Sequence, residues 1–273
     1  MKPIRAIVWY AVAVFGLSAI IAPWVFWVAQ LVGDWPFRRV FNRVILAVAV
    51  LGLWPLLRVT GVRSWKEIGF VTERVLLLQL LWGFAIGVVS YALGLLWRFE
   101  SLRPAERPGR LLVFFLIGWV VALIEETYFR GGLQNIMQRL MRPWLAVALV
   151  AAVYSVAHFL KPAEAHIPAE LVRWYSGFEY LGRVLACSLQ ERGVWWTAIS
   201  LWLVGVVLGW AFFRTGALYL SIGLHAGWVF ALKTLAWAGA GSWVDMPVVW
   251  CALLLLLGAI ECWARQKSGQ RQH

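Results

Sequence analysis

Eight apolar runs, most of them long enough to cross a membrane, leave this chain little freedom to fold in water. A membrane-crossing helix takes about 20 mainly apolar residues, with a range of roughly 17 to 25. Such runs fall at about 6–31, 40–57, 75–97, 110–129, 144–160, 194–213, 217–238 and 246–264. Of the 273 residues, 62% are hydrophobic and 14% charged, whereas an ordinary soluble domain carries about 25% charged residues. What lies between the runs is loop-sized. The fold class read from this pattern is all-α: a polytopic transmembrane helix bundle of about eight helices, forming one integral-membrane domain over 1–273. The first run follows Met1-Lys2-Pro3-Ile4-Arg5 and continues to about Leu31 with no small-x-small cleavage pattern. It is read as a retained first span.

The net charge of +12 raises the question of nucleic acid. Nucleic-acid binders gather their basic residues on one stripe or arm, but here they sit in short clusters between apolar runs, such as Arg38, Arg39 and Arg43, or Arg98, Arg103, Arg107 and Arg110. Anionic head groups of the lipid bilayer are the better partner, and no nucleic-acid partner is expected. Alternate loops are almost equally basic, so the positive-inside rule does not orient the bundle. From about Lys161 to Arg192 charges alternate with Leu171, Trp174, Tyr175, Phe178 and Leu181. That spacing predicts an amphipathic helix lying on the membrane or capping a cavity. Cys187, Cys251 and Cys262 form no metal-ligand pattern and read as packing residues.

The informative charges are those inside the runs. Glu125 and Glu126 follow directly on Leu111–Ile124, and a carboxylate within a span costs a few kcal/mol or more unless paired or facing water. Arg130 lies four residues beyond Glu126, on the same helix face and in the favourable acid-before-base order. Arg130 is thus expected to neutralise and orient Glu126. Glu125, rotated by about 100°, is left to meet water or another helix. A carboxylate raised towards neutrality by burial and by its neighbour suits a general base; the blander reading is a solvated helix end. Two of the four histidines, His158 and His225, also fall within runs. A lone intramembrane histidine is commonly a helix-to-helix hydrogen bond. Two of them with a Glu-Glu-Arg cluster form a constellation.

Glu125-Glu126-x-x-x-Arg130, then Tyr154-x-x-x-His158, then His225 in a late span resemble the three motifs of the CAAX protease and bacteriocin-processing family of intramembrane glutamic endopeptidases. The resemblance runs from about Val113 to Phe230 and implies a catalytic core at about 111–232, with the helices set around an intramembrane catalytic cavity. It further implies peptide-bond hydrolysis in a membrane-associated protein or peptide, prenylated or not. Glu125 and His158 inherit the activation of water, and His225 the stabilisation of the oxyanion. Glu126 and Arg130 support them, with no cofactor and no metal.

Two positions depart from the family pattern. Tyr154 stands where Phe is usual, and Val229 where the third motif carries Asn. Valine has no side-chain hydrogen bond to give, and loss of one oxyanion donor typically costs about 10²–10³ in rate; Ser221 and Trp228 are the nearby candidates to replace it. Two further readings stand beside the peptidase. One is a non-catalytic scaffold or immunity protein retaining the fold. The other is a metal-dependent peptidase in which Glu125, Glu126, His158 and His225 converge on an ion.

Overall fold

The computed structural model describes residues 2–72, 76–93, 109–159, 165–188, 194–238, 253–254 and 256–261. Among these residues every regular element is helical. The long helices are α1 (Lys2–Gln30), α2 (Phe37–Val59), α3 (Leu76–Leu93) and α4 (Gly109–Glu126), which continues through a π-helical segment (Thr127–Gln134) into the short α5 (Asn135–Gln138). There follow α6 (Pro143–Phe159), α7 (Ser176–Ser188), α8 (Val194–Thr215) and α9 (Tyr219–Trp237).

Among the described residues, five helical stretches are long and apolar enough to cross a membrane: Pro3–Gln30, Phe37–Val59, Leu76–Leu93, Gly109–Gln138 and Trp195–Thr215. The chain is an integral, multi-pass membrane protein. The expected fifth span is a shorter apolar helix, Pro143–His158. The expected seventh forms α9, whose apolar character is diluted by His225 and Lys233. Most of the expected eighth lies outside the described residues. Pro23 and Pro55 sit inside α1 and α2, as membrane helices tolerate when neighbouring groups satisfy the freed backbone.

One compact unit comprises residues up to Arg63 together with Val156–Val194. In it α1 packs on α2 and α7, around the rings of Phe26, Phe37, Phe41 and Tyr180. Gly177 lies so close to the backbone of Ala19 that a side chain there would overlap it. Of the expected amphipathic helix over about 161–192, residues 161–164 and 189–192 lie outside the described residues; among the described ones, 165–168 form no regular element, Ala169–Leu171 form one 3-10 turn and Ser176–Ser188 is α-helical. Proline at 168 disfavours helix in the residue before it. The buried face of α7 carries Ser176, Gly177, Tyr180 and Val184, whereas Trp174, Tyr175 and Phe178 are exposed. Of the stripe read from the sequence, Trp174 and Tyr175 precede the helix, Phe178 faces outward and Leu181 packs against the core.

The second unit comprises Ser64–Ser155 together with the chain from Trp195 onward, and α9 runs through it in contact with α3 and α4. Lipid tails are as apolar as leucine, so packing between membrane helices depends on close approach. Two glycine pairs supply it. A Cβ on Gly83 would lie 2.7 Å from the Leu220 carbonyl oxygen and one on Gly87 2.5 Å from that of Leu224. In return, Gly223 and Gly227 meet the carbonyls of Leu80 and Phe84. Gly118 of α4 is similarly pressed on Ala226, with 2.8 Å available for a Cβ. His225 is thus carried on a helix clamped from two sides by bare backbone. Forcing extra atoms into a packed site costs about 1–3 kcal/mol, occasionally more. Because the obstructing atoms here are backbone, Gly87→Ala is expected to lower the unfolding temperature in detergent by several degrees, whereas Gly109→Ala, where the space is open, leaves it unchanged.

Candidate active site

The helix that begins at Gly109 does not end at the paired glutamates. It passes into the π segment, where the Asn135 N–H reaches back five residues to the Arg130 carbonyl. π turns inside α-helices are frequent at functional sites. A loop holds this one from outside: Ser64 N and Oγ donate to Glu67 Oε1, and the turn they stabilise brings the Ile68 carbonyl against Gly131. A Cβ on Gly131 would lie 2.9 Å from that oxygen. The Gly69 carbonyl then accepts from Leu218 N at 3.1 Å, just before α9. Glu125 and Glu126 accordingly stand within a continuous helix, not at a solvated end.

Glu126 is fully buried and is held at both oxygens. Oε2 lies 3.3 Å from Arg130 Nε, and Oε1 lies 2.8 Å from His225 Nδ1. The pairing of Glu126 with Arg130 expected from their spacing is present. Arg130, also fully buried, donates from Nη2 to the Gly205 carbonyl at 3.1 Å. Its guanidinium lies 4.9 Å from the Tyr154 ring centroid and 5.7 Å from that of Phe129, within the range of cation–π attraction. A buried charge is tolerated when paired and hydrogen-bonded; the pair is made at Nε and Oε2 and the hydrogen bonds at Nη2 and Oε1, while Nη1 of Arg130 has no hydrogen bond among the described residues.

His225 has a second carboxylate on its other side. Glu125 Oε2 lies 3.8 Å from His225 Nε2, and the Glu125 side chain is 22% exposed. A carboxylate paired with arginine is an acceptor only, so the bond at Oε1 places a proton on Nδ1 of His225. Nε2 is left facing Glu125. The structure therefore brings together Glu125, Glu126, Arg130 and His225 from α4, its π extension and α9. Tyr154 joins them: its ring packs edge-on against Phe129 at 5.2 Å and lies 6.2 Å from the His225 ring. His158 stands in the last turn of α6, half-buried, four residues after Tyr154.

The two donors expected near Val229 both have partners within the protein. Ser221 Oγ donates to the Leu218 carbonyl at 2.9 Å, and Trp228 Nε1 to Ser90 Oγ at 2.8 Å. Val229 itself is partly buried. Among the described residues no group of three His, Cys, Asp or Glu side chains is arranged to hold a metal ion. The reading from sequence passed over the glycines that set this geometry. Gly83-x-x-x-Gly87, Gly205-x-x-x-Gly209 and Gly223-x-x-x-Gly227 each lie in an apolar run, the pattern that signals close helix contact.

No curated protein and no solved structure matches the chain. Residues 107–231 match the family model Rce1-like, described as type II CAAX prenyl endopeptidase Rce1-like. The matched segment contains the glutamate pair, Arg130, Tyr154, His158 and His225. Over this segment, just under half of the chain, the protein is similar to the Rce1-like family of CAAX endopeptidases.

Proposed function

We propose that the chain is an intramembrane endopeptidase of the glutamic type, cutting a membrane-associated or prenylated substrate with water as the nucleophile. The observation that supports this most directly is His225 held between two carboxylates, one locked by Arg130 and the other partly exposed. In this reading Glu125 removes a proton from a water molecule as its oxygen attacks the scissile carbonyl, a step in which the family resemblance also gives His158 a part. His225, protonated on both ring nitrogens, keeps Nδ1–H on Glu126 and offers Nε2–H to the forming oxyanion. The negative charge moves from Glu125 to the oxyanion while remaining beside the same Nε2–H, so little rearrangement is needed during the step. Collapse of the tetrahedral intermediate breaks the C–N bond, and the proton held by Glu125 passes to the leaving amine. Donors already aimed at the developing charge are the largest single source of rate in such reactions.

The test is cleavage by the detergent-solubilised protein of a panel of prenylated and unprenylated membrane peptides, with and without a chelator. Cleavage that is lost in His158→Ala and indifferent to the chelator supports this mechanism. Cleavage abolished by the chelator and restored by metal transfers the same residues to a metallopeptidase. One observation favours the non-catalytic reading: Val229 adds no donor where the family pattern has Asn. If the third motif limits turnover, Val229→Asn raises kcat, by up to the roughly 10²–10³ that one oxyanion donor is worth. Silence of both proteins on every peptide would favour a non-catalytic role.

A further inference from the structure

We infer that Gln134 is a positioning residue for the Glu126–His225 pair, acting through Arg130 and two glycine carbonyls of α8. Glu126, Arg130 and Gln134 follow at four-residue intervals through the end of α4 and the π segment, and all three are fully buried. Arg130 Nη2 donates to the Gly205 carbonyl at 3.1 Å and Gln134 Nε2 to the Gly209 carbonyl at 2.8 Å. The acceptors are four residues apart, as the donors are, so the two bonds form a ladder in register.

Glycine makes the ladder possible. A Cβ on Gly209 would lie 2.6 Å from Gln134 Oε1 and 3.1 Å from Val147 Cγ1, and one on Gly205 would lie 2.9 Å from Ala151 Cα. A backbone carbonyl has two lone pairs, so each glycine oxygen can keep its own helical bond while accepting a side chain. With the Gly205 bond alone, the π segment is free to swivel about a single attachment on α8. The second bond removes that freedom. Any swivel moves Arg130 Nε away from Glu126, and Glu126 is what fixes His225 Nδ1.

The kinetic arm of the test rests on the endopeptidase reading; the spectroscopic arm does not. Gln134→Met keeps the length and bulk and removes the donor, and Gly209→Ala displaces the amide while leaving Gln134 in place. Both are made in the full-length protein in detergent with ¹⁵N-labelled histidine. The expected result is a shifted or lost low-field proton signal of His225 Nδ1. Peptide cleavage should fall about 10- to 100-fold in kcat, the scale on which outer hydrogen-bond partners matter at metal sites, with KM nearly constant. The two changes together cost no more than Gln134→Met alone, because both break one bond. A folded Gln134→Met protein with an unchanged His225 signal overturns the inference, as does a lowered unfolding temperature with kcat unchanged. If Gln134→Met does not fold, Gln134→Asn, one methylene too short to reach Gly209, carries the same test. If neither the wild type nor Val229→Asn cleaves any peptide, the endopeptidase reading fails and the His225 signal still decides the role of Gln134.

Discussion

Glu125→Gln is expected to lower peptide-bond hydrolysis by about 10²–10⁴-fold, the span general-base catalysis contributes, while the protein folds and unfolds as the wild type does. The two glutamates differ in this respect. Glu125 is partly exposed and lies 3.8 Å from Nε2 of His225, whereas Glu126 is fully buried against Arg130. An amide of the same shape fills its place without leaving a buried charge behind. The loss should therefore appear in kcat, with the unfolding temperature constant. A Glu125→Gln protein that cleaves at the wild-type rate removes the general base from the proposed mechanism.

Arg130→Met should have the opposite signature, with stability lost before chemistry is reached. The guanidinium is fully buried and compensates the charge of Glu126, which has no water to turn to. Removing one partner of a buried pair costs about 3–5 kcal/mol because the other charge remains. Methionine keeps the contacts with Phe129 and Tyr154 but leaves Glu126 anionic against His225 alone. Replacing both members, Glu126→Gln with Arg130→Met, removes the stranded charge and should recover most of the stability without recovering activity. Thermal unfolding of the four proteins in one detergent measures the coupling. Additive losses would show that Arg130 contributes through packing and not through Glu126.

The sequence made the helices and part of the site legible for different reasons. Apolar runs of membrane length had to become helices, since no other local structure satisfies its own backbone in lipid, and α1, α2, α3 and α8 lie where the runs lie. The pairing of Glu126 with Arg130 was readable because it is set by spacing within one helix. The bond between Glu126 and His225 joins residues 99 apart in the chain, and no local pattern announces it. The π register through Gly131 and Gly132 was not announced by any local pattern; at Gly131 the Ile68 carbonyl lies where a side chain would be. Around α7 the exposure of Trp174, Tyr175 and Phe178 is what an amphipathic segment lying against lipid presents, since there the outward side is apolar too.

The glycine contacts of α3, α8 and α9 bear on how such a site tolerates change over many generations. Side chains facing lipid answer only to a requirement for apolar character, and a leucine, a valine or a tryptophan meets it equally well. Where backbone meets backbone, at Gly87 against Leu224 or Gly223 against Leu80, no substitute exists, since even one methyl group has nowhere to go. The location of His225 is then specified by residues that have no side chains at all. Such a protein can exchange most of its exterior and keep its chemistry in place, so descendants would share little beyond a few polar residues and the glycines that hold them in register.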